Sequence, residues 1–308
     1  MHLLIPGALP PPSVAPDLRA QVRQHCPALV QRLDTMQGTR QALLPEHTGC
    51  TPFEAIKLLQ LGYEPATGMN LGAGLASLAA GVKAPSETVW LAELSAISIG
   101  REGAAFAHPA SFQVTSAEAD ALFDSVSGLW AGCAISALPL NARQWRVWLN
   151  PEANTRSITP AAVADMKLSD WWPQDDSLRD WRRLLNEIQM VWHEHPINLA
   201  RAERGEAPVN SLWLFGGASG WTPSTQQGQT PTGIYEGLHS PYLQGAWADW
   251  IAALPALSEY LAALGPESTL TLTGQQACVA LTPARRRWWQ FLLPTRPQNW
   301  NLWWNLPN

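Results

Sequence analysis

The sequence predicts an α/β protein, and three observations carry that expectation. Short apolar runs alternate with helical stripes along the 308 residues. Two capping boxes mark helix starts, at Thr51-Pro52-Phe53-Glu54 and Thr115-Ser116-Ala117-Glu118. Hydrophobic residues make up 46% of the chain and charged residues 15%, enough for a large core and too apolar for a disordered protein. The length fits one large or two modest domains, and the chain contains no internal repeat.

His2 to Ile5 is expected as a short buried strand, ended by Pro6-Gly7 and a proline-rich loop. Asp17 to Gln37 is expected to be helical, kinked or divided by Pro27. The first capping box, with proline at the first helical position, starts a helix running to Gly62. Glu87 to Leu94 and Phe112 to Val114 are strand candidates. The second box opens a helix to about Trp130. Gln144 to Leu149 alternates as a strand, with Trp145 and Val147 on one face and Arg146 and Trp148 on the other.

Leu178, Trp181, Leu185, Ile188 and Trp192 form one apolar stripe on a helix from near Asp176 to before Pro196. A second short helix follows that break, then a strand from Ser211 to Phe215 and a glycine-rich surface loop to about Gly233. Helix returns between Tyr242 and Leu264. Thr269 to Leu272 and Ala277 to Leu281 flank Gly274 as a hairpin, and Thr282-Pro283 is expected to start a last helix.

The net charge of −5 argues against nucleic acid as a main partner. Lys57, Lys83 and Lys167 are the only lysines, so positive charge is almost all guanidinium; genomic composition bias would give the same excess. Cys26, Cys50, Cys133 and Cys278 lack any CxxC pair, which points to four buried, reduced thiols. Seventeen tryptophans are expected mainly as core pieces. The N-terminus reads as neither signal peptide nor anchor, and no run approaches the ~18 apolar residues of a membrane span. The expected location is the cytoplasm.

His193-Glu194-His195 invites a zinc reading, but on a helix residues two apart lie roughly 200° around the axis from one another. The HExxH spacing is absent, and His195 reads instead as a buried histidine bonded to backbone beside Pro196. The loop from Gly216 to Gly233 carries neither GxxxxGK[ST] nor GxGxxG, so nucleotide binding is not expected there. Arg285-Arg286-Arg287-Trp288-Trp289, with Trp300, Trp303 and Trp304, suits packing against the body, a membrane surface or a partner.

The stretch Leu184 to Gly217 carries a family resemblance. Its His195-Pro196-Ile197-Asn198, Arg201, Arg204-Gly205, Pro208, Asn210, Trp213 and Gly216 resemble a segment of the cofactor-independent phosphoglycerate mutases, especially the archaeal type. They resemble the RpfE-type regulatory proteins more closely still. The resemblance implies a reduced alkaline-phosphatase-like α/β core, residues 1–85 and 206–308, with a smaller α/β domain inserted at 86–205. It also implies that Arg201 and Arg204, with His195 and Asn198, face a cleft where mutases hold phosphate and carboxylate. Pairing of both arginines with Glu203, Glu206 or a neighbouring strand fits equally, and Asn198 and Asn210 suit backbone bridging.

Mutase chemistry needs two cations held by carboxylates and histidines, and a serine nucleophile. Here Pro6 follows the first strand where the family has an acidic residue, and no Asp-His pair occurs. His239 is the only histidine beyond His195. Ser77 lies in the nucleophile's region within a bland Gly/Ala/Leu stretch, and Trp90 to Leu94 replaces an arginine-aspartate-proline motif of the relatives. The expectation is a non-catalytic regulatory or binding protein, a pseudoenzyme without metal or other cofactor. Its partner would be a protein or a small phosphorylated ligand. The alternatives are an active mutase or phosphatase with a rearranged metal site, and an adaptor docking through its Trp/Arg-rich C-terminal tail.

Overall fold

Strand β1 (His2–Ile5) leads into helices α1 (Ala15–His25) and α2 (Pro27–Asp34) and strand β2 (Met36–Ala42). Helices α3 (Pro45–Thr48), α4 (Pro52–Gln60) and α5 (Gly74–Ala80) come next, before strands β3 (Thr88–Ser95), β4 (Ile97–Gly100) and β5 (Gly103–Phe106). Helix α6 (Ser116–Val126) precedes strands β6 (Ile135–Pro139) and β7 (Gln144–Leu149). Helices α7 (Pro160–Val163), α8 (Arg179–His193) and α9 (Pro196–Glu203) lead to strand β8 (Ser211–Ser219). Strand β9 (Gly233–Ile234), helices α10 (His239–Leu243) and α11 (Trp247–Leu264), and strands β10 (Thr269–Thr273) and β11 (Ala277–Pro283) complete the order. The computed structural model describes residues 1–101, 103–149, 153, 155–172, 174–224 and 233–284. The C-terminal arginine and tryptophan cluster and most of the expected last helix lie outside them.

Contacts divide the chain into two compact units, residues 1–44 with 225–308, and residues 45–224. The boundaries expected from the sequence, at 85/86 and 205/206, fall inside the second unit. The physical reason is the ladder between β3 and β8, which runs from Thr88↔Ser219 to Ser95↔Ser211 and ties the two segments together.

The first unit is a five-stranded mixed sheet in the order β2-β11-β10-β1-β9. β1 runs parallel to both β10 and β9, while β11 is antiparallel to β10 and β2. Leu18 and Val22 of α1, Leu29 and Leu33 of α2, and Leu254, Leu257 and Leu261 of α11 share a core with Leu3, Ile5, Leu270 and Val279 of the sheet. Helical spacing of 3 and 4 residues puts each set on one face. Pro27 divides the first helical stretch as expected. The helix stops at Asp34 rather than Gln37, because Met36 to Ala42 pair residue by residue with Ala277 to Pro283. For the same reason Thr282-Pro283 ends a strand and does not start a helix.

The second unit is an antiparallel sheet, β6-β7-β3-β8, covered on both faces. Trp90, Ala92, Leu94, Trp145, Val147 and Leu212 point to one side, where Leu122 of α6 and Trp181, Leu185, Ile188 and Trp192 of α8 meet them. Val89, Leu91, Trp213 and Phe215 point to the other, against Ala76, Ile158, Val163 and Leu168. The stripe on α8 and the alternation on β7 are as expected. Trp145 meets Phe123, Trp130 and Trp192 edge-on, with ring centroids 4.9, 6.1 and 5.7 Å away.

Phe112 to Val114 is not a strand. Both end residues are buried in the core beside α6 as an irregular lead-in to its Thr115 cap. Cys26, Cys50 and Cys278 are buried, whereas Cys133 is exposed on the turn before β6. Among the described residues no helix is long and apolar enough to cross a membrane.

Candidate functional site

The break between α8 and α9 positions every residue expected to contact an anion. Pro196 cannot continue α8, and His195 becomes the N-cap of α9, its Nδ1 accepting from the Ile197 N–H at 3.2 Å. His195 is therefore a half-buried cap rather than a core histidine, and burial lowers its pKa. His193 ends α8, so the two histidines do not share a helix. Asn198 is a backbone bridge: its Nδ2 donates to Trp192 O and Val209 O, and its Oδ1 accepts from Val209 N, each at 2.8 Å. Asn210 does the same to Ile97 N and O.

Arg201 is 2% exposed. Its Nε donates to Ala207 O at 2.8 Å, and its Nη1 lies 3.2 Å from Glu118 and 3.4 Å from Glu206. Its guanidinium also sits over the Phe112 ring, 5.3 Å from the centroid. Arg204 reaches Glu118 at 2.8 Å and Glu206 at 2.9 Å. Glu118 is the N3 residue of the second capping box, so one carboxylate closes the α6 cap and binds both guanidiniums. Burial opposes its charge, but hydrogen bonds from Thr115 and the two arginines outweigh that and hold its pKa below the ordinary value. The sequence pointed to Glu206 as a partner and missed Glu118, whose capping box gave no sign of a second role.

Three positions singled out by the resemblance lie as follows. At the end of β1, Pro6 has no side-chain ligand atom, and Gly7 O accepts from the Trp250 indole N–H at 2.8 Å. Ser77 is 1% exposed, and its hydroxyl donates to Val82 O at 2.9 Å. Trp90 to Leu94 form the middle of β3.

Two further carboxylates lie elsewhere in the second unit, Glu93 buried and Glu54 half-buried. Glu54 closes the first capping box and accepts from Thr51 N at 2.8 Å, Thr51 Oγ1 at 3.0 Å and Thr159 Oγ1 at 2.7 Å. Burial raises its pKa over the opposing effect of these bonds, and the Glu93 charge adds to the rise. Burial raises that of Glu93 as well, against the pull of its partners Arg143 and Gln144.

The strand expected to end at Phe215 runs on to Ser219, so the expected glycine loop starts later, and its residues 225–232 lie outside the described residues. The register with β3 shifts between Val89 and Trp90, so that Val89 faces Ala218 while Trp90 faces Gly216, and Gly217 is the extra residue of a bulge. Gly216 and Gly217 have φ of 108° and 89°, conformations that favour glycine. A cavity of about 590 Å³ opens beside this bulge, bounded by Gly217 to Trp221, Thr88, Ala153 and the segment Tyr63 to Met69. Tyr63 and Trp221 form a corner, centroids 4.9 Å apart and planes tilted by 44°. Burial pushes the Tyr63 hydroxyl up to about 12, so it stays neutral. The cavity had no signature in the sequence, because its walls come from distant segments.

No family model matches the chain. A probable 2,3-bisphosphoglycerate-independent phosphoglycerate mutase of Geobacter sulfurreducens is 25% identical over 104 residues, 33% of this chain and 26% of that relative. The enzymes of that name from Methanosarcina barkeri and Methanosarcina mazei are 26% and 30% identical over 162 and 74 residues, covering 52% and 24% of this chain. Those matches span 40% and 18% of the two relatives, so less than half of any of the three is represented. Among solved structures, a Pyrococcus horikoshii protein aligns with TM-score 0.42 at 12% identity, covering 93% of this chain and 88% of that one. A cofactor-independent phosphoglycerate mutase from Thermoplasma acidophilum aligns with TM-score 0.30 at 15% identity, covering 93% and 90%. The chain is thus weakly homologous, over part of its length, to the 2,3-bisphosphoglycerate-independent phosphoglycerate mutases.

Proposed function

We propose that this protein is a non-catalytic binding or regulatory protein of the RpfE type, built on a phosphoglycerate-mutase-like scaffold. The observation that carries this reading is the state of Arg201 and Arg204. The two guanidiniums that the resemblance assigns to a substrate's phosphate and carboxylate are bonded to Glu118 and Glu206 instead. An anion entering this cluster would have to displace two carboxylates and would meet their repulsion. The inward hydrogen bond of Ser77 and the proline at the end of β1 support the same reading.

The test is turnover together with elemental analysis. Purified full-length protein supplied with Mn²⁺ or Zn²⁺ is assayed for interconversion of phosphoglycerates and for hydrolysis of a generic phosphoester. The expected result is no turnover and no stoichiometric metal. Two tightly bound metal ions per chain with turnover that survives Ser77→Ala would place the chemistry in a rearranged site and overturn the proposal.

A further inference from the structure

We propose that the cavity beside the β8 bulge binds a small organic cation, an amine or quaternary ammonium, in place of a phosphorylated ligand. The inference deepens the binding-protein reading above and rests on it.

Charge is the first argument. Among the described residues the lining contains no lysine, arginine or histidine, and its one acidic side chain is Glu64. The guanidinium of Arg146, bonded to the lining residue Thr88, is not itself part of the lining. It is 5% exposed, and its Nη2 donates to Thr88 O at 2.8 Å and pairs with Glu87 at 2.9 Å. Among the described lining residues a phosphate would meet the Glu64 carboxylate and no cationic side chain, whereas a cation would be attracted.

The aromatic corner is the second. Cations bind over the faces of Trp and Tyr within about 6 Å of the ring centroid, because the ring faces are electron-rich. Both rings are held in place before any ligand arrives. The Trp221 indole N–H donates to Gly74 O at 3.0 Å. Tyr63 lies against Gly74 so closely that a Cβ there would come within 2.5 Å of the phenol ring. Fixed rings lose no side-chain freedom on binding, which favours affinity. Met69 and Ala218 add apolar wall suited to alkyl groups on the nitrogen.

The experiment is calorimetric titration of the full-length protein with choline and tetramethylammonium, against sodium chloride at equal ionic strength. Inorganic phosphate and 3-phosphoglycerate are titrated in parallel. Saturable binding of at least one cation is expected, weakened about tenfold in Glu64→Gln and abolished in Glu64→Arg. Glu64 is exposed, so both variants should fold, and near-ultraviolet circular dichroism checks that they do. Absence of saturable binding by either cation, binding unchanged in both variants, or tighter binding of phosphoglycerate that Glu64→Arg improves would each overturn the inference. A protein that binds neither cation yet turns over no phosphoglycerate sinks this inference and leaves the non-catalytic reading standing.

Discussion

Arg201 and Glu118 stand 83 positions apart in the chain, and their side chains meet at 3.2 Å in an ion pair that is 3% and 11% exposed. The pair joins the start of α6 to the end of α9. Removing Glu118 leaves the buried Arg201 guanidinium only the longer 3.4 Å contact to the more exposed Glu206, close to the expensive case of an uncompensated buried charge. Glu118→Ala is therefore expected to destabilise the second unit by about 3 kcal/mol. Arg204→Ala, at a side chain 49% exposed, should cost less than about 1 kcal/mol. Urea melts of both variants check the ranking; equal costs would mean that Glu206 alone satisfies Arg201.

Trp192 is fully buried against Trp145, and its indole N–H donates to Leu122 O at 3.1 Å. Trp192→Ala is expected to cost about 3–5 kcal/mol through the cavity it leaves. Trp192→Phe keeps much of the volume and loses the hydrogen bond, a cost of about 1–3 kcal/mol. Thermal unfolding of the two variants separates the packing and polar contributions.

The β8 bulge depends on glycine for reasons of space. A Cβ at Gly216 would come within 2.5 Å of Val89 O and 2.4 Å of Ala76 Cβ, atoms that have no room to retreat. At Gly205, with φ of 71°, a Cβ would meet nothing within 4 Å. Gly205→Ala should cost only the left-handed penalty of about 1–2 kcal/mol, and Gly216→Ala distinctly more. Denaturation midpoints of the two variants make the comparison, and equal shifts would show that the bulge relaxes.

Glu54 gives the second unit a pH dependence of definite sign. Its folded pKa is raised above the ordinary value of 4.5, so the folded state holds the proton more tightly than the unfolded chain. The stability it contributes is fully present below that ordinary value and is lost as pH rises through the raised folded value. Glu118 acts in the opposite sense, contributing stability above its ordinary range that is lost as pH falls through its depressed folded value. Across a pH series, Glu54→Gln should gain on the wild type as pH rises beyond 4.5. A constant difference at every pH would show that Glu54 does not titrate in this window.

Much of the fold was legible in the sequence where the signal is local. The capping boxes at Thr51 and Thr115 form as read, each Glu side chain bonded back to its Thr. The stripe from Leu178 to Trp192 reported burial correctly and the alternation along β7 reported shared faces, although Arg146 on the second face is buried too, because helical and strand periods decide which face a residue shares. The roles of Asn198 and Asn210 also followed from their places beside a helix break and a strand start. The candidate site was legible only in part, since Glu206 was visible as a neighbour and Glu118 was not.

What the sequence determined by itself was thus the α/β alternation, the helix starts, the apolar faces and the weak likeness to one enzyme family. Only the tertiary structure decided that Met36 to Ala42 is a strand, that β8 bulges through Gly216-Gly217, which carboxylates hold Arg201 and Arg204, and that Tyr63 and Trp221 make a corner. The reason is physical. Caps and periodicities act within a few residues, whereas ladder pairing, ion pairs and cavity walls join segments whose meeting is fixed only when the whole core packs.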